Sequence, residues 1–148
     1  MAAQIYAEYP GIWPETVRAL MIHSARWTTQ MEAQFRTDDL KTGGRRNLLR
    51  TCGYGVPDLD KAIQCMNNSV NLIMQGEIQP FEKTSNGPKM KEMHLHRLPW
   101  PYRVLQSLGE VEVEMRVTLS YFVEPGPGEK GWQDRYRYPS CGLRFDVI

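Results

Sequence analysis

Two neighbouring residues, His23 and Ser24, could supply the base and the nucleophile of a hydrolase. A serine hydroxyl must lie within hydrogen-bond reach of the imidazole, and a third group must orient that imidazole. Successive residues of a helix point about 100° apart, so adjacent His and Ser side chains do not face each other. We therefore interpret His23 as a helix-surface or partly packed histidine. The sequence also lacks a Gly-x-Ser-x-Gly elbow.

Two further histidines, His94 and His96, have the i, i+2 spacing that places both imidazoles on one face of a strand. That arrangement could bind a metal ion, but zinc sites take at least three protein ligands, and no Cys, Asp or third His follows at ligand spacing. Met93 and Leu95 are expected to face inward, so both histidines should face solvent. The sequence predicts neither a metal site nor another cofactor here.

Three other patterns give weaker indications of a binding site. The Gly-Tyr-Gly at 53–55 resembles part of a phosphate-binding loop but lacks the later glycine and the Lys-Ser/Thr pair, so a tight turn before a helix explains it. Glu110, Glu112 and Glu114 could bind a cation, although facing Lys or Arg on a neighbouring strand is commoner. The Gly/Arg run at 43–46 could touch an acidic partner but fits a solvated surface. We assign no catalytic, cofactor-binding or metal-ligating residue.

The elements that would position these residues are helical in the first part of the chain. A helix ends at Pro10, a second begins at Pro14, and a third is capped by Asp58. Residues 28–50 are polar and are predicted to form a long surface loop that could include a short helical turn. The apolar spacing predicts the packed faces, which are Val17, Leu20, Met21 and Ser24 in the second helix and Leu59, Ala62, Ile63 and Met66 in the third.

The later part of the chain is predicted to be rich in strands. Strands are expected at 70–79, 90–98, 110–123 and 136–148, with a short helix from Pro101 to Leu108 closed by Gly109. The odd-numbered residues of 110–121 are apolar and the even-numbered ones polar, which predicts one buried and one wet face. We expect an α+β fold, with a helical part at 1–68 and an antiparallel, β-sandwich-like region at 69–148.

Both ends of the chain lack the usual start and stop signals. The apolar stripe Ala2, Ile5 and Tyr6 begins without a capping residue, so we expect the back half of a longer helix whose apolar side chains are exposed. Leu143, Phe145 and Val147 alternate in a strand pattern that stops without a turn signal. These features predict a segment of a larger protein.

Charge, hydropathy and cysteine usage exclude several classes of protein. The 18 Lys and Arg balance 17 Asp and Glu to a net charge of +1, which argues against nucleic-acid binding. No stretch approaches the roughly 18 apolar residues of a membrane span, and the N-terminus lacks an export pattern. The three cysteines share no Cys-x-x-Cys spacing, which favours a reducing compartment. We expect a cytoplasmic protein without nucleic-acid or membrane partners.

Three segments, taken in order, resemble the C-terminal part of the catalytic domain of subtilisin-like serine peptidases, the subtilase family. AAQIYAEYP resembles the end of the helix that follows the family's Gly-Thr-Ser nucleophile motif, WPETVRALMIHSA resembles the next helix, and GYGVPDLDKAI resembles the closing helix. VEMRVTLSYFVEP and YPSCGLRFDVI look like the β-sandwich region appended in some large bacterial subtilases. The matching positions are Pro14, Val17, Arg18, Leu20, Gly53, Gly55 and Ala62.

The resemblance implies a fragment of a serine endopeptidase without its catalytic residues. The family's Asp, His and Ser triad and its oxyanion Asn all precede the matched part, so none is carried over to this chain. The implied partners are the rest of the catalytic domain and a protein or peptide substrate. The alternative is a non-catalytic binding module, in which a β-sandwich binds a partner and the helices only pack. A Gly-Thr-Ser motif encoded just before Met1 would favour the peptidase.

Overall fold

The structure is a computed structural model that describes residues 1–35, 43–67, 71–98 and 100–123. The predicted strand at 136–148, Cys141 and the proposed division at residue 68 lie outside these ranges. The elements in chain order are helices α1 (Ala2–Glu8), α2 (Pro14–Ser24), α3 (Thr29–Phe35), α4 (Gly43–Cys52) and α5 (Leu59–Asn67), strands β1 (Phe81–Thr84) and β2 (Gly87–Met90), and helix α6 (Tyr102–Leu108).

The chain divides into two compact units. The first holds the described residues up to Ile73 together with Glu114–Thr118, and the second holds the described residues of Met74–Val113 and those from Leu119 onward. None of the described helices combines the length and the apolar composition that crossing a bilayer requires.

The core of the first unit lies where α1, α2 and α5 pack against one another. It is formed by the buried residues Ile5, Ile12, Val17, Leu20 and Ala62. The predicted packed face of α2 is confirmed, since Val17, Leu20 and Ser24 are buried. Each aliphatic side chain buried in this way contributes about 1.5–3 kcal/mol to folding.

Helix α1 is only partly as predicted. No side chain caps its N-terminus, as its sequence indicates, and Ala2 is exposed while Tyr6 is half-buried. The expectation that Ile5 is exposed is wrong, because its side chain is 0% exposed within the core. Packing of α1 on both α2 and α5 supplies the neighbours that the local sequence could not reveal.

The predicted loop at 28–50 is wrong, because helices α3 and α4 occupy much of it and pack against each other. Thr28 caps α3 through the bond from the Met31 amide to its hydroxyl, 3.3 Å long. In α4 only Leu48 offers a large apolar side chain that is buried, while the exposed Arg45 guanidinium lies 6.0 Å from the Trp27 ring centroid. A mainly polar segment can therefore be helical in the folded chain, where α4 packs against α3 and buries one large apolar side chain.

The turn at 53–55 holds the end of α2 against the start of α5. The amide of Arg26 donates to the carbonyl of Val56 at 3.1 Å, and the amide of Val56 donates back at 2.9 Å. Gly55 has φ +95°, and a Cβ there would lie 2.3 Å from the carbonyl oxygen of Arg26. The predicted tight turn is confirmed, and close backbone approach is the reason for its second glycine.

A second link joins the same two helices through Ser24. Its hydroxyl donates to the carbonyl of Met21 at 3.1 Å and accepts the amide of Asp58 at 3.2 Å. Asp58 in turn caps α5 as predicted, since the Lys61 amide donates to its Oδ1 at 3.0 Å. That bond holds the pKa of the Asp58 carboxyl below its ordinary value.

The second unit contains a single β-hairpin among the described residues. Strands β1 and β2 pair antiparallel, with Phe81 opposite Met90 and Thr84 opposite Gly87. The predicted helix before Gly109 is confirmed as α6, which Gly109 follows with φ +58°. The fold is consistent with the α+β class.

The predicted strands at 70–79, 90–98 and 110–123 are wrong over their described residues, apart from Met90 at the end of β2, since the hairpin is the only sheet in the part of the chain described. The predicted burial of the odd-numbered face of 110–121 is also wrong, because its six side chains are 39–62% exposed. Arg116 and Thr118, on the even-numbered face, are half-buried instead because they contact the end of α2. Alternating apolar and polar residues show which side chains share a face, but that face is buried only where a second layer packs on it. The described residues support no β-sandwich.

We expect Gly55→Ala to lower the free energy of unfolding by about 3 kcal/mol, because it adds left-handed strain to a clash with backbone atoms. Gly53→Ala is the matched control. Gly53 also has positive φ, but nothing lies within 4 Å of its added Cβ, so the loss there should be about 1 kcal/mol. Urea unfolding followed by circular dichroism measures both variants. Equal losses would contradict the close-approach argument.

We expect Ser24→Ala to cost about 1–3 kcal/mol, because it leaves the part-buried Asp58 amide without its acceptor. Ser107→Ala is the control, since Ser107 makes the same i−3 bond to a carbonyl but is exposed. That substitution should change stability by less than about 0.5 kcal/mol. Urea unfolding of both variants is the measurement, and a Ser24→Ala loss no larger than the control's would refute the linking role.

Candidate functional site

The best candidate cluster lies at the C-terminal end of α2, where the sequence places His23 and Ser24. The Ser24 side chain is 2% exposed. Its hydroxyl has one proton, and that proton is donated to the carbonyl of Met21. The Nδ1 atom of His23 lies 2.9 Å from the hydroxyl of Thr118. The two neighbours therefore bond to different partners, as the helical geometry predicts, and do not form a nucleophile–base pair.

Two guanidinium groups surround the end of α2. Arg26 donates to the carbonyls of His23 and Ala25 at 2.9 Å each. Arg116 donates to the same two carbonyls at 3.3 and 3.1 Å. Cations are favourable at a helix C-terminus because they satisfy its free carbonyls and oppose the negative end of its dipole. The two arginines therefore cap the C-terminus of α2.

The electrostatics of this cluster do not suit general-base catalysis. Burial, with the charges of Arg116 and Arg26, lowers the pKa of His23 below 6.5, and Glu114 opposes the shift only weakly. A triad instead needs a carboxylate bonded to the imidazole to stabilise the imidazolium. The carboxylate of Glu114 bonds Arg116 at 3.0 Å, and this contact lowers the pKa of Glu114. The arrangement favours a neutral histidine in a structural role.

His94 and His96 are both exposed, as predicted, and their rings stand edge to face with centroids 6.0 Å apart. The expectation that Met93 and Leu95 face inward is wrong, because both are exposed. Within the described ranges no three His, Cys, Asp or Glu side chains come together in a way that could hold a metal ion. The pair therefore gains no further ligand from the described fold.

The structure also places the remaining sequence candidates. The carbonyl of Gly53 accepts the indole N–H of Trp27 at 2.9 Å, so the Gly-Tyr-Gly turn binds its own chain. Glu114 pairs with Arg116 two residues along the same segment rather than with a facing strand. The Gly/Arg run at 43–46 lies in α4, where Arg45 and Arg46 are exposed.

Sequence reasoning missed the residues that complete the α2 cluster. Arg26 carried a signal, because a cation just past a helix end commonly binds the last carbonyls. Arg116 and Thr118 carried none, since they lie 93 and 95 residues from the His23 atoms that they contact. Only the path of the folded chain brings them to α2.

Comparison with known proteins supports the family resemblance for the first part of the chain. The sequence model of the Subtilase family matches residues 1–55. The chain is also 31% identical over 147 residues to a protein of Sinorhizobium fredii (strain NBRC 101917 / NGR234) named "Uncharacterized protein y4bN". That alignment covers 99% of this chain and 29% of the relative, so the chain spans less than a third of the relative's length.

No solved structure matches the chain. The matched residues 1–55 include α1, α2 and the Gly-Tyr-Gly turn, which carry two of the three resembling segments and the start of the third. In the structure these elements belong to the first unit, whose core joins α1 and α2 to α5. The sequence similarity thus supports a resemblance to the subtilase family over residues 1–55.

Proposed function

We propose that this chain is the C-terminal part of the catalytic domain of a subtilisin-like serine endopeptidase, which hydrolyses peptide bonds as a full-length protein. In this proposal the chain supports the helix that carries the nucleophile and supplies none of the Asp, His and Ser triad. The observation that carries the proposal is the subtilase match over residues 1–55.

The packing of α1 supports a scaffolding role. By resemblance, α1 is the end of the helix whose beginning presents the catalytic serine. Its Ile5 side chain is completely buried among residues of α2 and α5, including Val17 and Ala62. A helix anchored at its far end keeps its direction, so this core would fix the position of a serine at the other end.

The chemistry gives a reason for such support. A nucleophile at a helix N-terminus benefits from the positive end of the dipole, and catalysis requires it to be held to within a fraction of an ångström. The proposed partners are the rest of the catalytic domain and a protein or peptide substrate, with no nucleic-acid or membrane partner. We also propose a cytoplasmic location, which the free thiols of Cys52 and Cys65 support.

The 148-residue chain alone should neither hydrolyse casein nor react with a fluorophosphonate serine probe, because the Ser24 hydroxyl is buried and bonded on both sides. Mass spectrometry of the probe-treated chain checks this. Labelling at Ser24 that disappears in Ser24→Ala would overturn the proposal. A second readout is the coding sequence before Met1, where we expect Gly-Thr-Ser within about one helix length. A stop codon in that place would overturn it too.

In a polypeptide extended to include the whole preceding catalytic domain, with the family's Asp, His and Ser, Ile5→Ala should slow probe labelling of the Gly-Thr-Ser serine, because the anchor of α1 is lost at a cost of about 2–5 kcal/mol. Gln4→Ala is the matched control, since Gln4 is exposed on the same helix. Labelling rates are compared below both melting temperatures. Equal rates in the two variants would contradict the supporting role, and no labelling of the extended protein would contradict the peptidase assignment.

A further inference from the structure

The segment Glu114–Thr118, here termed the strap, crosses the C-terminal end of α2 and belongs to the first compact unit although it lies far along the chain. Among the described residues, three hydrogen bonds attach it to the end of α2. The Thr118 hydroxyl lies 2.9 Å from Nδ1 of His23, and Arg116 donates to the carbonyls of His23 and Ala25 at 3.3 and 3.1 Å. All three bonds end on the last residues of α2 or on the residue that follows.

The apolar side chains of the strap contribute little to this attachment. Met115 and Val117 are 41% and 43% exposed, whereas Arg116 and Thr118, which make the contacts, are half-buried. The strap is therefore held mainly by polar and charged groups around one imidazole. Such an attachment responds to charge more than one made by apolar packing would.

The charges that face His23 are unbalanced. Arg116 approaches from the strap and Arg26 from the second residue after α2, while Glu114 on the strap has an opposing negative charge. Glu114 is itself bonded to Arg116 at 3.0 Å. A proton on His23 would therefore put a third positive charge beside two guanidinium groups in a half-buried position, which is unfavourable.

We propose that the strap is a pH-sensitive latch, which stays docked on α2 while His23 is neutral and detaches when His23 binds a proton. The proposal does not depend on peptidase activity. It assigns to the His23, Arg116 and Thr118 cluster a regulatory role in place of the catalytic one that the sequence offers for His23.

The direction of the effect follows from linkage. In the docked state burial and the two arginines lower the pKa of His23 from 6.5, whereas the detached state returns it toward that value. Between the two values the detached state binds more protons, so docking weakens as the pH falls. Docking is fully favoured above 6.5 and is lost as the pH falls through the lowered value.

The test is an NMR titration of the full 148-residue chain from about pH 8 to about pH 4.5, the range in which histidines titrate. The His23 ring signals give its midpoint, and the backbone amides of 114–118 report docking. We expect the His23 midpoint to lie below 6.5 and the strap amides to move with the same midpoint toward the shifts of an unstructured chain. The amide of Ile5, in the core, should stay in place.

Two variants make the test specific. His23→Asn keeps a polar atom near the position of Nδ1 but cannot titrate, so its strap amides should not change over this range. His96→Asn removes an exposed histidine and should leave the strap transition as in the wild-type chain. A strap transition that persists in His23→Asn would overturn the latch. Strap amides that stay fixed while His23 titrates would overturn it as well, and so would a His23 midpoint at or above 6.5. An Ile5 amide that moves along the same curve would also overturn it, because this would indicate general unfolding.

Discussion

The close approach of two backbone segments, at Arg26 and Val56, is the constraint on which the first unit depends. Two reciprocal hydrogen bonds join them, and only a residue without Cβ fits at Gly55 beside the Arg26 carbonyl. This contact directs the chain from α4 into α5 at the place where α2 ends. Once α5 is fixed there, Ala62 lies within the core formed with α1 and α2. A backbone contact thus sets the geometry that the apolar side chains then stabilise.

The polar groups near that contact also stabilise the scaffold, because the side chains of His23 and Ser24 are engaged in hydrogen bonds within it. The Ser24 hydroxyl donates to the carbonyl of Met21 within α2 and accepts a hydrogen bond from the amide of Asp58. The His23 ring bonds the Thr118 hydroxyl, and Arg26 and Arg116 both donate to the carbonyl of Ala25. Buried polar groups must find partners, and here those partners belong to the scaffold. A supporting role in a larger peptidase is consistent with such an arrangement.

The end of α2 is also where a distant segment returns to the first unit. The strap is held by charge and hydrogen bonds rather than by its apolar side chains, which remain exposed. Rigid packing around Ile5 and a polar attachment around His23 therefore coexist in one unit, and they respond differently to solution conditions. Apolar packing is insensitive to pH, whereas the attachment contains His23, a titratable group whose pKa burial and two arginines lower from 6.5.

The sequence by itself determined the helices whose signals are local. Pro14 starts α2, Asp58 caps α5 and Gly109 follows α6, and the apolar spacing of α2 identified its buried face. Tertiary structure decided whatever depends on a distant neighbour. Packing of α1 on α2 and α5 buries Ile5, and α3 packs against α4. Arg116 contacts the end of α2, whereas no layer covers the odd-numbered face of 110–121 among the described residues. Periodicity reports which residues share a face, but burial requires a second element, whose position the local sequence does not encode.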